Sequence, residues 1–134
     1  MRQLSKFIVG VTMFFGVIIL TNCTSKEIGS RLVFKRDTLA LGNIKRGQST
    51  VIISSCRNIG NDSLKILKAK GGCSCTKILF DKHLLASGEE SPVRLIYDNA
   101  EDNINEGEVL KSILIYSTAS PTLKIIYLKG RVVK

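Results

Sequence analysis

From residue 31 to the end of the chain, apolar residues alternate with polar ones and do not recur every third or fourth position. In the last segment Ile126, Leu128, Gly130 and Val132 fall on one side, with Tyr127, Lys129 and Arg131 on the other. Successive side chains of an extended strand point to opposite faces, so this pattern suits a sheet with one buried face. Val93, Leu95 and Tyr97 repeat it, as do Ile113 and Ile115. Short β-rich stretches such as STVIISSCRN (49–58), LKILKA (64–69), VRLIYD (93–98) and VLKSILIYST (109–118) are separated by turn sequences. Among the turns are Lys45-Arg46-Gly47, Ile59-Gly60-Asn61-Asp62 and Ala86-Ser87-Gly88-Glu89-Glu90. TLKIIYLKGRVV (122–133) closes a hairpin with 109–118 across Ala119-Ser120-Pro121. About seven short strands with no helical stripe predict an all-β, antiparallel sandwich.

The first residues have a different character. Arg2 and Lys6 precede the apolar run Phe7–Leu20, which leads to Thr21-Asn22-Cys23. A basic start, an apolar stretch and a polar exit are the marks of a secretory signal, here a helical segment. As a helix the run measures ~21 Å, short of the ~30 Å hydrocarbon core of a bilayer. Leu20-Thr21-Asn22-Cys23 resembles the lipobox of bacterial lipoproteins, with Asn22 larger than the residue usual before the cysteine. The expected organisation is a lipoprotein signal peptide at 1–22, a tether at 23–30 beginning with lipidated Cys23, and one domain at 31–134. Removing 1–22 from 134 residues leaves 112, enough for one core and too few for two. Acyl chains on Cys23 would anchor the chain to a membrane of the cell envelope, ordinary cleavage to a secreted or periplasmic form being the alternative. The net charge of +9 falls to about +7 without Arg2 and Lys6. A basic exported domain suits an acidic partner or anionic lipid, and Lys124, Lys129, Arg131 and Lys134 make the last strand a candidate for the latter. Nucleic acid is not an expected partner, because no aromatics interleave with the basic residues.

With Cys23 assigned to lipid, Cys56, Cys73 and Cys75 remain, an odd number. At least one is then a free thiol, a metal ligand or an intermolecular partner. Cys73 and Cys75 lie one residue apart in GGCSCT (71–76). In a straight strand they would sit about 6.6 Å apart on one face, too far for the ~3.8 Å between Cβ atoms that a disulfide needs. A bent backbone permits the bond only with strain and a raised reduction potential. Two thiolates also suit Cu(I), whereas structural zinc would need further ligands from Cys56 and His83 at spacings that match no zinc module. The leading reading of the pair is structural packing or a local disulfide. Metal binding, disulfide exchange and covalent linkage to a partner are the alternatives. Cys56 is expected in the core, with a bond to Cys73 or Cys75 as the other reading.

His83, the only histidine, lies in the turn-like DKHLL and reads as a surface residue. Asp98, Glu101, Asp102, Glu106 and Glu108 form an acidic loop whose spacing fails the EF-hand order, so a solvated loop is expected. Neither a phosphate-binding glycine loop nor a hydrolase or metalloprotease motif occurs.

CRNIGNDSLKI (56–66) resembles the Asn-x-Gly…Leu-x-Ile segment of the bacterial family called domain of unknown function 1573. GGCSCT resembles its Ser-Cys-Gly-Cys-Thr signature, LALGNIKRG (39–47) its early Phe-Gly-x-Ile-x-x-Gly, and the last strand its Leu-x-Gly-x-Val. The resemblance covers residues 31–133. It implies an immunoglobulin-like sandwich of the Hydin and major sperm protein kind, often found in lipoproteins, with no established activity. Leu41 stands where the family usually has an aromatic, and Cys56 where it commonly has Phe. The functional expectation is a non-enzymatic, lipid-anchored module that binds an unknown envelope protein through a sheet edge or loop, with no small-molecule substrate and no cofactor. The alternative is thiol chemistry at Cys73 and Cys75: Cu(I) or zinc binding, or disulfide exchange.

Overall fold

The computed structural model describes residues 29–134. The signal segment, Cys23 and most of the tether lie outside those residues. Nine strands form the fold: β1 (Leu32–Phe34), β2 (Thr38–Lys45), β3 (Ser49–Asn58), β4 (Leu64–Gly71), β5 (Thr76–Phe80), β6 (Leu84–Leu85), β7 (Glu90–Asp98), β8 (Gly107–Ser117) and β9 (Leu123–Val133). A single helical turn, α1 (Asn99–Asp102), follows β7.

The strands make two sheets, ordered β1-β3-β7-β5 and β2-β9-β8-β4-β6. Their facing sides carry the alternating residues picked out above: Val93, Leu95 and Tyr97 from β7, Ile113 and Ile115 from β8, Ile126, Leu128 and Val132 from β9, all fully buried. The hairpin of β8 and β9 forms as its sequence implies, pairing Ile113 with Ile126. β1 falls within RLVF (31–34), which reads from the sequence as the start of the domain, while the two-residue β6 is additional. One pair departs from the antiparallel rule, since β2 runs parallel to β9. Their register slips between Ala40 and Gly42, leaving Leu41 as an extra residue. Gly42 takes φ +70°, a conformation open chiefly to glycine, and the bulge shifts the inward phase. Leu39, Leu41 and Ile44 are consequently all buried.

The sandwich has two poles. At one, Asn58 is completely buried. Its side-chain oxygen accepts from the Arg31 N–H (3.1 Å) and the Gly60 N–H (3.0 Å), and its Nδ2 donates to the carbonyls of Asp62 (2.7 Å), Leu85 (3.2 Å) and Ala86 (3.2 Å). Ser30 ties the start of the domain to the β8–β9 turn by donating its hydroxyl to Thr118 O (3.1 Å). At the other pole Asn99 accepts from the Gly47 N–H (2.6 Å) and donates to Ile104 O (3.0 Å).

Candidate functional site

The β4–β5 connection lies at the second pole and contains both cysteines of GGCSCT. The chain there is not extended. Gly71 packs so closely on Thr76 that any side chain would collide with it, and a Cβ on Gly72 would come within 3.1 Å of Ser112 Oγ. The glycine pair therefore lets the chain double back. Gly72 N–H donates to Ser112 O (2.8 Å), Thr76 N–H to Cys73 O (3.3 Å), and Asp98 N–H to Cys75 O (2.8 Å). The turn brings the two Cα atoms to 5.1 Å, and Cys73 and Cys75 are joined by a disulfide. The obstacle expected for a straight strand does not arise, because these residues form a turn.

The two sulfurs differ in access. Cys75 is buried in the core, whereas Cys73 is partly exposed. Thr76 Oγ1 lies 3.8 Å from Cys73 Sγ. Cys73 lines an open cleft of about 540 Å³ with Lys70, Gly72, Thr76, Lys77 and Ile78, running along the seam between β4 and β5. His83 lines a second open cleft that shares Ala69, Ile78 and Leu79 with the first, its ring centroid 5.9 Å from that of Phe80.

Next to the disulfide stands a polar group that the alternation alone did not reveal. Tyr97, fully buried on the inward face of β7, donates its hydroxyl to Asp102 Oδ2 (2.6 Å). Lys111 Nζ contacts Asp102 Oδ1 at 2.6 Å. Burial, reinforced by the hydrogen bond to Asp102, pushes the Tyr97 phenol from 10.0 up to about 12. The two sulfurs and a carboxylate oxygen of Asp102 all lie within 4.8 Å of one another. With the disulfide closed neither sulfur is a thiolate. Once reduced, the same three atoms offer a metal two sulfurs and one oxygen. The signal for this group was present in the sequence: a tyrosine on an inward face needs a partner for its hydroxyl. Asp102 supplies it because the acidic segment folds into α1, capped by Asp98 Oδ1 accepting from Ala100 N–H (3.0 Å), instead of remaining an open loop.

Cys56 takes no part in this arrangement. It is a free thiol in the core on β3, paired with Ser91 at the first pole, and burial pushes it from 9.0 up to about 11. The seven-residue span of β7 between Ser91 and Asp98 puts it about 20 Å from the disulfide pole. Strands β3 and β4 are sequence neighbours that join different sheets, which keeps Cys56 apart from the pair.

The free edges of the first sheet are the second feature of note. β1 pairs only with residues 56–58 of β3. Beyond that, Lys35 N–H donates to Ser55 O, so by strand alternation the N–H and C=O groups of Val51 and Ile53 also aim to that side, where no strand lies among the described residues. The side chains of Val51 (57% exposed) and Ile53 (75%) stand on the outer face, near the half-buried Ile96 opposite Val51. Lys35 and Arg36 border the same edge.

A family model described as "Protein of unknown function (DUF1573)" matches residues 32–132. Among curated proteins, none matches the chain. A protein of unknown function from Porphyromonas gingivalis W83 has a similar structure (TM-score 0.67, 16% identity), over 78% of this chain and 47% of that one. The chain thus spans about half the length of that protein. A PapD-like domain of human CEP192 overlies 78% of this chain and 86% of its own (TM-score 0.58, 9% identity). The Escherichia coli chaperone DraB does so over 78% and 55% (TM-score 0.52, 11% identity). At these identities the likenesses establish the fold, an immunoglobulin-type sandwich of the PapD-like kind.

Proposed function

Starting from a chain that belongs to the family described as protein of unknown function DUF1573, we propose a lipid-anchored module of the bacterial cell envelope that works by binding another protein. The anchor in this reading is Cys23, on the strength of the signal-like segment before it. Binding, in place of turnover, is favoured by the shape of the molecule: a thin sandwich whose clefts are open grooves between strands. The observation that carries the reading is the uncovered half of β3. Its main-chain donors and acceptors face outward beside Val51 and Ile53, the arrangement that accepts an added strand. Similarity to a chaperone and to a PapD-like domain is compatible with such a role.

The test uses the full-length protein in its own membrane, with a photo-crosslinking residue at position 53 and, as control, at Lys129 on the other sheet. A defined envelope protein should be captured from position 53 and not from 129. Ile53→Pro removes an N–H that aims away from β7, so the ladder with β7 survives while an added strand loses a bond. Capture through a neighbouring crosslinker at Val51 should fall at least tenfold in that variant, with its thermal unfolding little changed. Undiminished capture would rule out strand addition at this edge. Equal incorporation of radiolabelled palmitate into the wild type and Cys23→Ser would rule out the anchor.

A further inference from the structure

A disulfide's restraint on the unfolded chain grows with the logarithm of the loop it closes, and between residues two apart that loop is very short. Cys73–Cys75 therefore adds little to stability by this route. Its sulfurs are also unequal: Cys75 is buried beside Asp102, while Cys73 opens onto the β4–β5 cleft. One wall of that cleft is β5, an edge strand bonded only to β7. Asp81 N–H bonds to Pro92 O and Asp98 N–H to Cys75 O, so the main-chain groups of Ile78 and Phe80 aim at the cleft side. Lys70 and Lys77 flank it.

We propose that Cys73–Cys75 is an exchangeable disulfide that passes its bond to a pair of thiols carried by an extended, acidic protein segment lying along β5. The occupant follows from the site: an open strand edge for the main chain, two lysines for acidic side chains, and the accessible sulfur at the head of the cleft. A thiolate of the incoming segment attacks Cys73 Sγ, and the Cys73–Cys75 bond breaks with its electron pair going to Cys75 Sγ. Cys75 takes a proton from water. The segment's second thiol, having given its proton to water, attacks the segment's own sulfur in the mixed disulfide. Cys73 leaves with the electron pair and is protonated. The segment is oxidised by two electrons, the chain is reduced by two, and two protons pass through water from one to the other. The transfer is stoichiometric, one disulfide per chain. Asp102, fixed by Tyr97 and Lys111, is a positioning residue: its negative charge disfavours a thiolate at Cys75, which slows both the departure of Cys75 in the first step and its return attack on Cys73. The inference stands on the cysteine turn and β5, independently of strand addition at β3.

The test mixes the oxidised full-length chain, in detergent, with a reduced synthetic peptide carrying two cysteines between glutamates, and with dithiothreitol as a small neutral dithiol. Acid quenching, alkylation and mass analysis follow. The peptide should emerge oxidised, with labels on Cys73 and Cys75. Lys77→Glu should slow the peptide reaction about tenfold and leave dithiothreitol unaffected. A reduced Cys75→Ala chain given oxidised peptide should accumulate the mixed disulfide at Cys73. Asp102→Asn should extend the reverse reaction to lower pH, and Asp102→Glu should largely restore the wild-type profile. A bond that opens only when the protein unfolds, or a mixed disulfide trapped on Cys75 in the Cys73→Ala chain at an equal rate, would overturn the proposal. Equal slowing of both reagents by Lys77→Glu would overturn the choice of an acidic segment.

Discussion

Asn58 holds together main-chain groups from the start of the domain and from two turns of the first pole, using both ends of its amide. Replacing it by alanine strands several buried donors and acceptors, each costing about 1–3 kcal/mol when unsatisfied. Asn58→Ala should lower unfolding stability by ~3 kcal/mol, read from urea titration. Asn58→Asp should fare no better, because a carboxylate cannot donate to three carbonyls. The Asn-x-Gly of residues 58–60 was visible in the sequence, and its reason was not. Leu85 and Ala86, which accept from Asn58, are brought to it only by tertiary folding. The same holds for Asp102: its residue type and its acidic neighbours suggested solvent, and only the short α1 turns it toward Tyr97. The core was easier to read, since inward residues such as Leu95 and Leu128 reveal themselves by alternation with their own neighbours.

Strand β2 shows what a local departure from regularity does to an element. Gly130 on β9 faces its bulge, and a Cβ there would lie 2.6 Å from Leu41 Cβ and 2.9 Å from Gly42 O. Backbone cannot yield as a side-chain tip can. Gly130→Ala should therefore loosen β2 from β9 and destabilise the fold by ~2 kcal/mol. Hydrogen exchange should speed along residues 38–45 and stay slow in β8. Strands were legible wherever they were long. β6 has only two residues, so no alternation could be read in it, whereas β1 lies within RLVF, already legible as the start of the domain. The parallel placement of β2 against β9 was equally hidden, because alternation tells which face a residue takes and not which way the neighbouring strand runs.

For the molecule as a whole, two buried acids set a high-pH limit. Cys56 and Tyr97 are neutral when protonated, and burial raises both, to about 11 and about 12. The folded chain thus keeps protons that the unfolded chain releases, so their stabilisation is complete below pH 9 and fades as pH rises through those values. A rise at Cys56 from 9.0 to about 11 corresponds to a few kcal/mol at most. Urea midpoints should fall between pH 9 and 11, and the fall should be shallower in Cys56→Ala. The two poles carry a last consequence. Ser30 sits at the pole of Asn58, and the disulfide at the other, about 20 Å away along β7. With the anchor proposed at Cys23, residues 24–30 extend at most about 25 Å. If both proposals hold, Cys73 would lie no farther than about 45 Å from the lipid surface, and only cysteines within that depth could exchange with it.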